Sequence, residues 1–153
     1  MKIMFKRFFE KETCTYTYFL ADSETKECAL IDTVQENKNI YIDYINKNGF
    51  QLKYLLETHV HADHITATGP LKQVFPHATI GLHKAAGVSC SFQGLSHGDT
   101  LSMGSLPIQV YATPGHTIES LCFLANGNLL FTGDTLLIGA CGNPFKKNSF
   151  ILL

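Results

Sequence analysis

A mixed α/β (α+β) domain is predicted by three features of the sequence. Aromatic and β-branched runs separated by polar breaks open the chain, as in an antiparallel meander. Two stretches of helical periodicity follow, each beside a short apolar strand. The remainder returns to short strands punctuated by glycine, proline and asparagine.

In chain order, residues 4–9, 15–21 and 27–31 are the three strands of the opening meander. Between residues 32 and 49, Ile40, Tyr41, Tyr44 and Ile45 recur at helical spacing and Gly49 supplies a C-terminal stop, predicting a surface helix packed on the sheet. Residues 51–56 form a short apolar strand. After a histidine-rich stretch, a second helical pattern carries Ile65, Leu71, Val74 and Phe75 until Pro76 stops it. Residues 79–82 read as a strand and 83–99 as a loop with one helical turn; residues 106–113, 121–124 and 129–132 complete the strand series. Asn126, Gly127 and Asn128 predict a hairpin turn between the last two strands. There is no internal repeat and no low-complexity tract.

With 153 residues, 45% of them hydrophobic, the chain is long enough for one domain with a real core and too short for two comfortable ones. The 12 basic residues are scattered against 13 acidic ones, so the electrostatic footprint of a nucleic-acid binder is absent and small-molecule chemistry is the default. No apolar run reaches the roughly 18 residues of a membrane span, and the N-terminus has no signal-peptide pattern. A cytoplasmic protein that does not engage membranes is expected. Five cysteines, Cys14, Cys28, Cys90, Cys122 and Cys141, are odd in number and form no C-x-x-C pair, which fits a reducing compartment. Cys28 and Cys122 lie within expected strands, as small buried hydrophobes do.

The residues that carry chemistry are concentrated in 58–64, THVHADH. His59 and His61 are two apart just after a strand, and an extended backbone would send both to one side, where they can converge on one ion. Asp63 and His64 sit where the next helix would begin and can face a neighbouring position about 3.5–4 Å away, the separation of two-metal sites. His116, in ATPGHT, and Asp134, in FTGDT, each follow a strand and sit beside glycine, so their side chains would meet the cluster at one sheet edge. Imidazole and carboxylate ligands suit zinc and iron(II) alike, and two histidines with one carboxylate leave positions open. A purely structural metal is the rival reading, but structural sites are usually closed and cysteine-containing. His77, His83 and His97 read as ordinary surface or packing histidines, and Asp99 as a turn residue.

His59, His61, Asp63 and His64 match the H-x-H-x-D-H motif of the metallo-β-lactamase superfamily, which this sequence resembles. Within it, ETHVHADHITATGPL, TPGHTIESLCF and LFTGDTLLIGACG are similar to the persulfide dioxygenases, with the glyoxalase II thiolester hydrolases as nearest relatives, over roughly residues 5–142. The resemblance implies an αββα sandwich with the metal at one edge. It implies a single Fe(2+) held by His59, His116 and Asp134, and oxidation of glutathione persulfide, or another thiol-derived small molecule, by dioxygen to sulfite and glutathione. His61, Asp63 and His64 are then groups around that metal or at a second metal position, with Asp63 and His64 as catalytic candidates. In the glyoxalase II alternative the same residues help hold two metals, Zn(2+), that activate water.

From residue 143 the chain reads NPFKKNSFILL, unlike the family, which divides it into a metallo-β-lactamase-like domain at 1–142 and a divergent tail at 143–153. A sandwich incomplete at its C-terminus is expected to leave an apolar sheet face open, to which Phe145, Phe150, Ile151, Leu152 and Leu153 add. Pairing of two copies through exposed sheet or exchanged tails is the expected remedy. An inactive remnant that still binds metal stands as a third functional expectation.

Overall fold

The structure, a computed structural model, describes residues 3–142. Strands β1 (Ile3–Glu10), β2 (Thr15–Asp22) and β3 (Glu27–Ile31) form the expected antiparallel meander. From β3 onward the sheet turns parallel through β4 (Gln51–Leu56), β5 (Thr79–His83) and β6 (Gln93–Leu95), in the order β1-β2-β3-β4-β5-β6. Parallel neighbours need a crossover. Helix α1 (Lys38–Lys47) lies between β3 and β4, and α2 (Thr68–Val74) between β4 and β5. Strands β7 (Thr100–Met103), β8 (Leu106–Ala112), β9 (Leu121–Ala125) and β10 (Leu129–Phe131) form a second, wholly antiparallel sheet, ordered β10-β9-β8-β7.

Two cores result from side-chain alternation along the strands. In β3, Cys28 and Leu30 face Tyr41 and Ile45 of α1 and Leu71 of α2, whereas Ala29 and Ile31 face the second sheet. Because both faces of β3 are covered, ECALI reads as a continuous apolar run. In β8, Leu106, Ile108 and Val110 point inward against Leu20, Leu56 and Phe123, while Pro107, Gln109 and Tyr111 point out. The layers therefore run helix, sheet, sheet, three of the four in an αββα sandwich. Among the described residues no helix covers the outer face of the second sheet, where His97, Tyr111, Cys122, Leu124 and Leu130 border a cavity of about 380 Å³.

Several boundaries differ from the sequence expectation. A 3-10 turn at Gln35–Asn37 precedes α1, and Ile40 is exposed while Tyr41 and Ile45 are buried. Helix α2 begins at Thr68, leaving Ile65 outside it and 70% exposed. The reason is that the backbone before α2 is committed elsewhere: Ile65 O accepts from Gln35 N, and Ala67 N donates to Thr33 O. Strands β6 and β7 fall where a loop was expected or nothing was assigned. β6 has three residues with glycine in the middle, and β7 has only Leu101 and Met103 to show its alternation. The turn at Asn126 and Gly127, with φ of 49° and 69°, joins β9 to β10 as expected. The tail and its five apolar residues lie outside the described residues.

Candidate metal centre

One end of the sandwich gathers the polar chemistry, because β3 and β4 run parallel and deliver their C-terminal ends side by side, with Asp32 N donating to Leu56 O at 3.0 Å. Asp32 follows β3, and Glu57, Thr58 and His59 follow β4; all four are buried. From the second sheet, the loop between β8 and β9 brings His116, and the 3-10 turn Gly133–Thr135 after β10 brings Asp134. The two sheets are tied at this point by Leu121 N, which donates to Thr58 O at 2.7 Å.

His59, His116 and Asp134 converge: one donor atom from each lies within 4.8 Å of the others. His116 Nε2 is 3.4 Å from Asp134 Oδ2, and the His59 and His116 rings meet edge to face with centroids 4.9 Å apart. Burial, together with the charge of His61, lowers the His59 pKa to about 4, so its imidazole is neutral, the form that binds a metal. Side-chain exposures of 23% for His116 and 47% for Asp134 leave one side of the trio open. Gly142 lies against it. A Cβ there would overlap Asp134 O and come within 2.8 Å of His116 Nδ1, so the close approach requires glycine.

His61 lies beside His59, as its spacing suggests, and one of its ring nitrogens is also turned to two buried carboxylates. The rings are neighbours, with centroids 4.1 Å apart, but His61 Nε2 lies 3.2 Å from both Asp32 Oδ1 and Glu57 Oε2. The chain from Glu57 to His64 bends instead of continuing β4. Burial opposes a charge on His61, but its hydrogen bond to Asp32, the close approach of Glu57 and the charges of both outweigh that, raising its pKa. Burial also raises Glu57, whereas Asp32 is lowered because His61 and Thr58 N outweigh its burial. Thr33 and Thr68 both donate to Glu57 Oε1.

His61, Asp63 and His64 form a second group whose donor atoms lie within 4.8 Å of one another, as do those of Asp32, Glu57 and His61. Asp63 Oδ1 is 3.2 Å from His64 Nδ1. The His64 side chain is 1% exposed, yet neither ring nitrogen makes a hydrogen bond with proper geometry among the described residues. Buried polar atoms are nearly always satisfied, so this ring has the free nitrogen a ligand would take up.

The sequence reading passed over Asp32, Glu57 and Thr58. A signal was present: each follows an apolar strand directly, in ALIDT and LLETH, as Asp134 follows its own strand in LLFTGD. His83 Nδ1 accepts from Ala85 N, and Asp99 Oδ2 from Ser96 N, local turn contacts of the expected kind. His97 borders the outer cavity of the second sheet, away from the convergent trio. A groove of about 310 Å³, bordered by Thr13, Cys14, Tyr16 and Tyr18 of the β1–β2 hairpin, opens onto His61, Asp63 and Asp134.

The sequence profile described as the metallo-beta-lactamase superfamily matches residues 14–146. A Mus musculus protein named persulfide dioxygenase ETHE1, mitochondrial, is 37% identical over 141 residues, covering 92% of this chain and 55% of that protein. A Schizosaccharomyces pombe protein named probable hydroxyacylglutathione hydrolase is 37% identical over 137 residues, covering 86% of this chain and 52% of that protein. The crystal structure of ETHE1 from Myxococcus xanthus matches with a TM-score of 0.85 at 40% identity, covering 91% of this chain and 60% of that one. The chain spans about half the length of the curated relatives it matches.

Proposed function

The chain belongs to the metallo-β-lactamase superfamily, and on that premise we propose that it carries the metal centre of a persulfide dioxygenase, with Fe(2+) held by His59, His116 and Asp134. The reaction takes glutathione persulfide, dioxygen and water to glutathione and sulfite. The observation that carries this reading is the convergence of two histidines and one carboxylate within 4.8 Å, with His61 drawn off toward Asp32 and Glu57. That donor set leaves positions open on the metal. When bound, iron(II) would supply electrons and a Lewis acid toward dioxygen and the persulfide sulfur.

The chain's own residues do the rest. Neutral His59 offers a lone pair without first losing a proton. The hairpin groove gives a thiol-derived substrate a path to Asp134. Asp63, 59% exposed at its side chain and 3.2 Å from His64, borders the groove as an ionised carboxylate, because its burial is outweighed by its own backbone N–H and the neighbouring His64, and it can accept a hydrogen bond from substrate or water there. Five cysteines without a disulfide suit a reducing compartment, the cytoplasm in our reading. Among the described residues no helix is long and apolar enough to cross a membrane.

One observation favours a second reading. The grouping of His61, Asp63 and His64, with both His64 nitrogens lacking hydrogen bonds, suits a second metal, Zn(2+), and a thiolester hydrolase of the glyoxalase II type. The test is to measure metal per chain after purification and follow oxygen uptake with glutathione persulfide and thiolester cleavage with a glutathione thiolester. One iron per chain with oxygen uptake supports the dioxygenase. Two zinc ions with thiolester cleavage replace it with the hydrolase, and metal with neither activity leaves a binding remnant.

A further inference from the structure

Thr58 precedes the first histidine and has no metal-ligating role of its own. It is buried, and its hydroxyl touches three polar atoms: the acceptors Asp32 Oδ1 at 3.0 Å and Asp32 Oδ2 at 2.9 Å, and His59 Nδ1 at 3.0 Å, whose role depends on the ring's tautomer. A hydroxyl has one proton to give and lone pairs to receive with. The Asp32 carboxylate is the stronger acceptor, because a hydrogen bond to an ionised group is roughly twice as strong as a neutral one. The proton therefore goes to Asp32, and the Thr58 oxygen can only accept from His59. We propose that Thr58 and Asp32 form a relay that fixes His59 in its Nδ1–H tautomer and so presents the Nε2 lone pair to the metal.

Every partner in the relay is held. Asp32 sits at a φ of 55°, and its carboxylate also takes Thr58 N at 2.7 Å. Asp32 O accepts from Thr17 Oγ1 at 2.7 Å, which orients the residue from behind. The Thr58 carbonyl is bonded to Leu121 N of the second sheet. On the remaining side Gly133 packs directly against the Thr58 side chain, so closely that a Cβ there would overlap Oγ1. Thr58 is thus a positioning residue, acting on the metal through His59. A metal-ligating histidine needs this kind of support, because the hydrogen bond on one ring nitrogen decides which atom is free on the other.

The inference rests on His59 being a ligand, and its test separates the two. Nitrogen-15 NMR of the full chain without metal at neutral pH should show His59 Nδ1 protonated and Nε2 bare. An Nε2–H ring, or an even mixture of tautomers, would overturn the relay. This measurement needs no variant, so it decides even where a substitution does not fold. Titration with Zn(2+) against a chelator should then show Thr58→Val binding about 10–100-fold more weakly than the unsubstituted chain, with Thr58→Ser restoring most of the affinity. Equal affinity in Thr58→Val, or no rescue by serine, would also overturn it. In parallel, His116→Ala should abolish zinc binding; unchanged affinity there would remove the metal-centre reading, while the tautomer result would stand on its own.

Discussion

Gly133→Ala should cost more than a methyl group usually does, and the structure allows the amount to be worked out. Gly133 has a φ of 48°, where an alanine is less stable than in the right-handed region by about 1–2 kcal/mol. The new Cβ would overlap Thr58 Oγ1 and lie 2.7 Å from Thr58 Cβ and 3.2 Å from Cγ2. Thr58 cannot step aside, because its hydroxyl is bonded to Asp32 and its carbonyl to Leu121 N. Overpacking of that kind adds about 1–3 kcal/mol, for a total of about 2–5 kcal/mol. With a urea slope of about 2 kcal/mol per molar, the unfolding midpoint should fall by roughly 1–2.5 M. Thr58→Ala removes Oγ1 and Cγ2 but keeps Cβ, so in that background Gly133→Ala should cost less, with a coupling of about 0.5–3 kcal/mol. A midpoint shift below roughly 0.5 M, or strict additivity of the two substitutions, would refute the packing argument.

Asp32→Ala should destabilise by about 3–5 kcal/mol in the same assay, since it leaves His61 and two donors of Thr58 without their buried acceptor. Asp32→Asn should cost less, because asparagine keeps one acceptor oxygen and tolerates a positive φ; equal costs would contradict the accounting. Asp22, at the end of β2, accepts from Ser105 N and Ser105 Oγ at 2.8 Å and from Glu24 N at 2.9 Å, which hold its pKa far below the ordinary 3.8. A lowered native pKa means the contribution is complete above about pH 4 and is lost as pH falls below it. Asp22→Asn should therefore flatten the acid limb of a stability–pH profile between roughly pH 4 and 2, and an unchanged limb would count against it. Brief treatment of the native chain with iodoacetamide should label Cys14, Cys90 and Cys141, which are exposed, and spare Cys28 and Cys122, whose thiol pKa values burial raises. Labelling of Cys28 at the rate of Cys14, read by mass spectrometry, would contradict its placement between α1 and the first sheet.

Much of this protein is determined by local pattern. The meander, α1, β4 and the Asn126–Gly127 turn were legible because their side-chain periods and turn residues act over a few residues. So were the chemical groups themselves, since four histidines and two aspartates in and after strand-end loops announce metal chemistry in any fold. What local pattern could not carry was register. β6 and β7 are too short to show a period and exist because β5 and β8 offer edges to pair with. The same holds at the site. THVHADH offers four donors that look equivalent, and only the parallel pairing of β3 with β4 puts Asp32 and Glu57 where they take His61. Only the packing of the second sheet on the first brings His116 and Asp134 to His59. Sequence determined which chemistry this chain can hold, because ligand type is a property of single residues. Tertiary structure decided which residues share it, because hydrogen bonds and ligand sets form between atoms that are distant along the chain.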